Sequence, residues 1–263
     1  MTRYQVSRKI ELQPAYVLHS REYRDTSLLV DILTLDVGLL RVVARGVRGA
    51  KSNRRALLQP LQPLLVTLIG RGELLTLSAV EAAAPVFQLH GERLFSVLYI
   101  NEILTRLLQP GQSHPEIYRL YQRSLVSLLR DPQIECALRR FEYHLLLELG
   151  YGPDLLNDAQ RGDPICPDEF YVFDPESGLS RCHEVLENPK ANRFTGQQII
   201  DMNVFLNADN QQSFDKQLLS TSKRFMRQAL RPLLGTKPLN SRQLFVSPAP
   251  PAVFSLPPDS DNG

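Results

Sequence analysis

The sequence predicts an α+β protein in which a small β-barrel precedes an α-helical part. Between residues 15 and 80, five short segments rich in Val, Ile, Leu and Thr are separated by turns, as β-strands are. After Pro85 the apolar residues recur at steps of three and four, the spacing of amphipathic helices. Five short strands in a row favour a closed barrel, because closure removes exposed sheet edges.

The predicted strands are AYVLHS, SLLVDILTL, GLLRVVARGV, LLVTLIG and ELLTLSAV. Asp36-Val37-Gly38 and Arg71-Gly72 are typical of hairpin turns, because glycine adopts positive φ at little cost. One long loop separates the third strand from the fourth. This pattern favours an OB-fold, and an SH3-like barrel is the alternative that strand number alone leaves open.

Five helices are predicted after the barrel. The first covers ERLFSVLYINEILTRLL, and the others span residues 114–130, 133–149, 195–207 and 213–231. Pro232 is expected to end or kink the last of these helices, and Gly235 to stop it. The expected domains are a barrel at 1–84, a helical domain at 85–150 and 190–246, an irregular or short β insert at 151–189, and a disordered proline-rich tail at 247–263.

Composition places the chain among ordinary globular proteins, with 43% hydrophobic and 22% charged residues. No apolar run approaches the roughly 18 residues of a membrane-spanning helix, and the first residues carry no apolar signal core. Three cysteines do not make a disulfide framework. We therefore expect a soluble cytoplasmic protein without a membrane partner.

Charge is unevenly distributed along the chain, although the net charge is only +2. Residues 1–80 hold twelve basic and six acidic residues, and residues 216–242 hold seven basic residues and no acid. Residues 154–187 hold nine acids and two basic residues. Two basic blocks on either side of acidic material indicate a polyanionic partner.

The first basic block is the long loop after the third strand. Its five cations are Arg45, Arg48, Lys51, Arg54 and Arg55. A glycine- and serine-containing loop at the rim of a barrel suits contact with phosphates, and in OB-folds such loops flank the nucleic-acid groove. The alternative is a solvated loop that is basic only for solubility.

The second basic block lies on the last predicted helix. Lys223, Arg227 and Arg231 fall at i, i+4 and i+8, so they share one face, and Lys237 and Arg242 extend the positive surface. We assign DNA contact to this face. The alternative is that cations near a helix C-terminus only complement the helix dipole. A stacking role for Tyr23, in a predicted loop of the barrel, is weaker still.

No metal, cofactor or catalytic site is predicted. Cys166, Cys182 and His183 lack the paired CxxC spacing of a structural zinc site, and Cys136 is expected to be a buried helical residue. The sequence contains no GxxxxGK[ST], GxGxxG, GxSxG or HExxH motif. The competing enzyme hypothesis is a metal-dependent nucleic-acid-processing site built from Asp154, Asp158 and Asp163.

Segments along nearly the whole chain resemble the bacterial RecO family of recombination mediators. They are YVLHSREYRDTSLLVDILT, GLLRVVARGVRGAKS, LQPLQPLLVTLIGRGELLTL, LYINEILTRLL, ALRRFEYHLLLELGYGPDL, FTGQQI and KRFMRQALRPLLGTKPLNSRQLF. Their order and spacing together are specific. The resemblance implies an OB-fold, a helical bundle and an insert that in many relatives binds zinc through four cysteines. Here the first cysteine pair corresponds to Asp158 and Arg161 and the second to Cys182 and Val185, so a degenerate, metal-free insert is expected.

The resemblance also implies a function without enzymatic turnover. Relatives of this kind bind single- and double-stranded DNA, anneal complementary strands, and act with RecR to help RecA replace single-strand-binding protein (SSB). They bind the acidic, apolar C-terminal tail of SSB on the helical domain, and the LRRFE segment would place Arg139 near that site with Arg140 beside it. The alternative for Arg139 is an intrahelical pair with Glu135. A nucleoid-associated location follows from the same resemblance, and an RNA-directed OB-fold protein is a third possibility.

Overall fold

The computed structural model describes residues 8–48, 54–71, 74–182, 193–208 and 213–245. The tail predicted to be disordered lies outside these ranges, as do Lys51 and His183. Within the described ranges, no helix is both long and apolar enough to cross a membrane.

The N-terminal part is a five-stranded barrel. Its strands are β1 (Arg8–Tyr23), β2 (Ser27–Thr34), β3 (Gly38–Ala44), β4 (Leu64–Gly70) and β5 (Leu75–Ala82). They close in the order β1-β2-β3-β5-β4, with β1 antiparallel to both β2 and β4, and with β3 and β5 parallel. This order is that of an OB-fold, so the OB-fold prediction is confirmed and the SH3-like alternative is not needed.

The long strand β1 serves both halves of the barrel because it bends. Its pairing register shifts between Ile10 and Gln13 and again between Val17 and His19. Such irregularities increase the local twist and let one strand turn a barrel corner. Aliphatic side chains from all five strands fill the interior: Ala15, Val17, Val30, Ile32, Val42, Val66, Leu68, Leu75 and Leu77.

The outer face of the barrel packs against the helices. Tyr16 is buried there and its ring contacts the rings of Tyr118 and Tyr121, with centroids 5.5 and 5.1 Å away. The β2–β3 turn lies against the loop at residues 108–114, between two helices of the helical part. The contact is so close that a Cβ on Gly38 would lie 1.8 Å from the carbonyl oxygen of Gln112. Gly38 also has a φ of +77°, so both space and backbone conformation require glycine.

The five predicted helices are found to within a few residues: α2 (Glu92–Leu107), α3 (Pro115–Arg130), α4 (Ile134–Glu148), α5 (Gly196–Asn207) and α6 (Lys216–Leu234). Two short helices were not predicted: α1 (Arg54–Leu57), which lies at the end of the predicted basic loop, and a terminal 3-10 helix (Asn240–Phe245). Pro232, predicted to end or kink the last helix, does not end α6, which runs to Leu234, and the predicted stop at Gly235, whose φ is +69°, is confirmed. A proline in the last turn removes one amide where few helical hydrogen bonds remain to be made.

The insert forms a small antiparallel sheet in the order β7-β6-β8. Its strands are β6 (Phe170–Asp174), β7 (Gly178–Arg181) and β8 (Arg193–Thr195). Tyr171, Phe173 and Phe194 belong to the same buried core as the helices. The Phe173 ring stacks on Phe225 of α6 with centroids 4.2 Å apart. Packing on α6 thus fixes the insert to the helical part.

Candidate nucleic-acid and peptide interfaces

The arginines of the predicted basic loop are of two kinds: some are exposed to solvent, and others bind groups of the protein itself. Arg45 follows β3 and is exposed, and Arg55 is exposed on the short helix α1. Arg48 is half-buried: Nη2 lies 2.9 Å from Glu22 Oε2, and Nη1 donates to the Arg24 carbonyl at 3.1 Å. Arg48 therefore holds the loop against the β1–β2 turn.

Arg54 is engaged in the same way. Its Nη2 donates to the carbonyl oxygens of Leu77 and Ser78 on β5, at 3.1 and 3.3 Å. These bonds attach α1 to the barrel wall. Sequence reasoning treated all cations of the loop as equivalent, because backbone carbonyls are acceptors that no residue pattern reveals.

A hollow of about 340 Å³ lies beside Arg45. This rim hollow is lined by Tyr23, Arg24, Thr26, Ser27, Val43, Arg45, Leu74 and Thr76. It sits between the β1–β2 turn and the start of β5, the region where OB-folds bind oligonucleotides. Tyr23 and Leu74 offer apolar surface and Arg45 a positive charge, so the rim hollow combines the two features that bind single strands.

Arg24 is a rim residue that the sequence analysis did not single out. Its guanidinium lies 5.2 Å from the centroid of the Tyr23 ring, a cation–π arrangement. Its backbone is left-handed, with a φ of +52°, and its carbonyl accepts the bond from Arg48. The sequence signal that could have indicated this rim residue is the direct succession of Tyr23 and Arg24 in the predicted turn EYRDT.

The three cations predicted on the last helix lie together on α6. Lys223, Arg227 and Arg231 are all exposed, whereas Phe225 and Met226 on the opposite face are fully buried. The helical spacing therefore brings the three charges to one solvent-facing stripe.

A cleft of about 450 Å³ lies between α2, α4, α6 and the C-terminal segment. This helical cleft is lined by Glu92, Tyr99, Ile134, Glu135, Leu138, Arg139, Lys223, Arg227, Arg242 and Phe245. Four of these residues are cations and four are apolar or aromatic. The cleft brings Arg139 together with Lys223 and Arg227, which the sequence analysis assigned to a separate surface.

Arg139 is anchored in the cleft wall by a buried acid. Its Nη2 lies 2.7 Å from Oε1 of Glu142, and the hydroxyl of Tyr99 donates to the same oxygen at 2.6 Å. The intrahelical partner is therefore Glu142 at i+3 rather than the expected Glu135. Burial raises the pKa of Glu142, and Arg139 and the Tyr99 hydroxyl act in the opposite direction.

Among the described residues, one hydrogen-bond donor of the anchored Arg139 side chain is buried without a partner. Arg139 is 5% exposed, and within the described part of the chain its Nε has no hydrogen-bond partner. A buried donor without a partner is costly, and the ion pair with Glu142 offsets part of that cost.

Arg140 is not among the residues that line the helical cleft. Its guanidinium lies 5.4 Å from the ring centroid of Phe205 and 5.6 Å from that of Phe214, and its Nε donates to the Phe205 carbonyl. The structure thus places the two neighbouring arginines in different environments, and Arg140 stabilises the packing of α4 against α5.

Residues 237–245, here called the strap, form one wall of the helical cleft. Glu102 of α2 accepts hydrogen bonds from the amides of Asn240 and Ser241, both at 2.9 Å, and from the Ser241 hydroxyl at 2.7 Å. Arg106 donates to the carbonyls of Lys237 and Pro238, each at 2.7 Å. This double attachment holds the strap on α2.

The side chains of the strap reach the cleft. Phe245 packs edge-to-face on Phe95 of α2, with centroids 5.9 Å apart, and Arg242 lines the cleft beside it. Glu102 is a residue that sequence reasoning missed, because its partners lie more than 130 positions away along the chain.

A second depression, of about 870 Å³, adjoins the cleft. This basic hollow is lined by Arg227, Arg231, Pro232, Leu234, Gly235, Thr236, Lys237, Pro238, Leu239 and Arg242. Arg227 and Arg242 line both spaces, so the cleft and the basic hollow are neighbours that share these two side chains.

The insert does not present the donors of a four-thiolate zinc site. Cys166 is exposed and Cys182 half-buried, and no group of three or more His, Cys, Asp or Glu side chains in the described ranges is placed to hold a metal ion. Asp158, at a position that the resemblance pairs with a zinc cysteine, instead accepts backbone amides. Its Oδ1 takes those of Gln160 and Arg161 at 2.8 and 2.9 Å, and its Oδ2 takes that of Arg181 at 2.7 Å.

The acids of the competing enzyme hypothesis are also engaged locally. Asp154 accepts the amides of Leu156 and Asn157, and Asp158 accepts the three amides named above. Asp163 is exposed. The carboxylates of Asp154 and Asp158 therefore stabilise turns of the insert, and the three acids do not form a metal-binding set in the described ranges.

A closed OB-fold barrel with a basic rim, followed by helices that carry a basic cleft, is typical of the OB-fold class of nucleic-acid-binding proteins. Comparisons with known proteins identify its family. Residues 9–86 match the family described as "Recombination protein O N terminal", and residues 88–243 match "Recombination protein O C terminal". This chain therefore belongs to the RecO family, as its sequence segments predict.

Individual relatives agree over most of their length. The chain is 42% identical to the DNA repair protein RecO of Pseudoalteromonas atlantica over 230 residues, covering 88% of this chain and 92% of that protein. It is 40% identical to the DNA repair protein RecO of Tolumonas auensis over 241 residues, covering 89% and 95%, respectively. It is also 40% identical to the DNA repair protein RecO of Yersinia enterocolitica over 234 residues, covering 89% of this chain and 93% of that protein.

Proposed function

We propose that this protein is a recombination mediator that anneals complementary DNA strands and, with RecR, helps load RecA onto SSB-coated DNA at gaps and double-strand breaks. The observation that carries the proposal is the presence of two exposed basic surfaces on different parts of the fold, one at the barrel rim and one on α6. A protein that holds two strands needs two such surfaces.

In annealing, the barrel rim holds one strand through Arg45 and Arg55, and the face of α6 holds the other through Lys223, Arg227 and Arg231. Neutralising both backbones lowers the repulsion between the strands, and the bases then pair without further help. No covalent step is involved, so the proposal assigns no catalytic residue and no cofactor.

The exposed cations of each surface set the expected salt dependence. Contact of a single strand with the two rim arginines gives a log–log slope of about −1.4, and contact with the three cations of α6 a slope of about −2.1, or roughly a 7-fold and a 20-fold loss of affinity between 50 and 200 mM salt. Arg48 and Arg54 are left out of these numbers because they donate to backbone carbonyls.

The helical cleft is proposed as the site for the SSB tail. Its apolar side chains, among them Ile134, Leu138 and Phe245, suit a terminal phenylalanine, and its cations suit the preceding acids. Arginine forms strong charge-assisted hydrogen bonds with carboxylates; Arg227 and Arg242 present exposed guanidinium groups to the cleft, and Glu142 fixes Arg139 in its wall. RecR and RecA enter the proposal through membership of the family alone.

The test is annealing of two complementary oligonucleotides coated with SSB, with and without the SSB tail, across a salt series. We expect annealing that depends on the tail and fades with rising salt. Salt-sensitive DNA binding without annealing would leave a basic OB-fold binder and contradict the mediator proposal.

A further inference from the structure

We infer that DNA and the acidic peptide exclude each other from the helical cleft, so that DNA binding at α6 releases the peptide. The inference rests on the proposed function, which assigns both ligands to this region but says nothing of their coupling. It follows from the two arginines that the helical cleft and the basic hollow share.

The two spaces share their positive charges. Arg227 and Arg242 line the cleft on one side and the basic hollow on the other. A peptide carboxylate in the cleft and a phosphate in the hollow would therefore require the same guanidinium groups.

The two spaces differ in the rest of their lining. The cleft is also lined by Ile134 and Leu138, which accommodate an apolar side chain, and by the acids Glu92 and Glu135, which repel a phosphate backbone. The basic hollow is also lined by Arg231 and Lys237, and its lining within the described part of the chain includes no acid. Each ligand thus has lining of its own, and the two meet at the shared arginines.

The backbone positions that carry the shared charges are fixed. Arg242 belongs to the strap, which Glu102 holds through the amides of Asn240 and Ser241. Arg227 lies on α6, with the neighbouring Met226 fully buried. Two polyanions that both reach these arginines would therefore repel each other at close range.

The expected effect is competition of at least about tenfold. Each charge-assisted hydrogen bond that the peptide loses to DNA is worth a factor of about ten or more in affinity. Because coupling between two ligands is reciprocal, the peptide weakens DNA binding at α6 by the same factor.

The experiment follows the fluorescence anisotropy of a fluorescein-labelled peptide that carries several aspartates and ends in phenylalanine. The peptide is first bound to the full chain, and unlabelled oligothymidylate is then added at constant salt. We expect the anisotropy to fall to the value of the free peptide. A rise above the value of the binary complex would show a ternary complex, which would overturn the inference and leave both proposed binding sites standing.

Variants locate the competition. The double variant Arg231→Ala/Lys237→Ala removes cations that line only the basic hollow, and we expect it to require about tenfold more oligonucleotide for the same displacement. Arg123→Ala removes an exposed cation of α3 and serves as the matched control. Equal displacement in the double variant and the control would place the competition elsewhere and refute the shared-arginine argument. Absence of any peptide binding would instead refute the proposed tail site, and the inference with it.

Discussion

Replacing Asp158 with alanine tests how the insert is stabilised. The carboxylate is 2% exposed and accepts three backbone amides, two within its own turn and one, that of Arg181, from the end of β7. The amides of the turn can be hydrated after substitution, so each contributes about 0.5 kcal/mol, whereas the charge-assisted bond to Arg181 is worth about 2 kcal/mol. The expected loss in the free energy of unfolding is therefore about 3 kcal/mol.

The loss is measured by urea denaturation followed by far-ultraviolet circular dichroism. The control is Asp168→Asn, an exposed acid of the same insert, which should change the free energy of unfolding by less than about 0.5 kcal/mol. Protection of the Arg161 and Arg181 amides from hydrogen exchange should fall in Asp158→Ala. An Asp158→Ala variant as stable as the control would refute the idea that this carboxylate holds the insert together.

The same bonds predict a pH dependence. Burial acts to raise the pKa of Asp158, but its backbone hydrogen bonds outweigh burial and the net pKa is lowered. A lowered folded-state pKa means that the stabilisation is fully present above the unfolded value of 3.8 and is lost as the pH falls through the lower folded value. The difference in the free energy of unfolding between the parent and Asp158→Ala should thus be constant near neutrality. It should shrink as the pH falls below 3.8 and through the folded-state pKa of Asp158.

Three further predictions concern the two interfaces. Arg45→Ala should weaken single-stranded DNA binding and flatten the log–log salt slope by about 0.7, whereas Arg48→Ala should lower the thermal midpoint and leave the slope unchanged; the reverse pattern would contradict the division of the loop. Arg139→Ala should reduce binding of the SSB tail peptide at least tenfold, by roughly the factor of one charge-assisted bond, while annealing of bare strands persists. Glu102→Ala should release the strap and weaken the same peptide severalfold, and unchanged affinity would show that the strap is no part of the site.

The barrel and the helices were predictable because their signals are local. The turn at Asp36-Val37-Gly38 lies between two apolar strands, and the structure places β2 and β3 on either side of it. The i, i+4, i+8 spacing from Lys223 to Arg231 likewise predicts a common face, since helical geometry alone determines it. In both cases residues close together in the sequence determine the local structure.

The cleft was not predictable because it depends on distant contacts. Its lining runs from Glu92 to Phe245, and no pattern in either segment reports the other. The intrahelical ion-pair partner of Arg139 was not predictable for a related reason. Glu135, the alternative named from the sequence, and Glu142 are both within helical reach of Arg139, and only tertiary burial favours Glu142. Arg48 and Arg54 bind backbone carbonyls, which every residue possesses and no sequence motif marks.

The attachment of the strap to α2 bears on the order in which the protein becomes functional during synthesis. The barrel is complete once the ribosome has passed Ala82, whereas the wall that holds Arg242 and Phe245 appears some 160 residues later. At translation rates of about 5–20 residues per second, the nascent chain spends roughly ten seconds or more with a finished rim and an unfinished cleft. Under the proposed function, a nascent chain would gain the rim surface for DNA before the cleft for the peptide, and a chain truncated before Asn240 would have the first surface without the second.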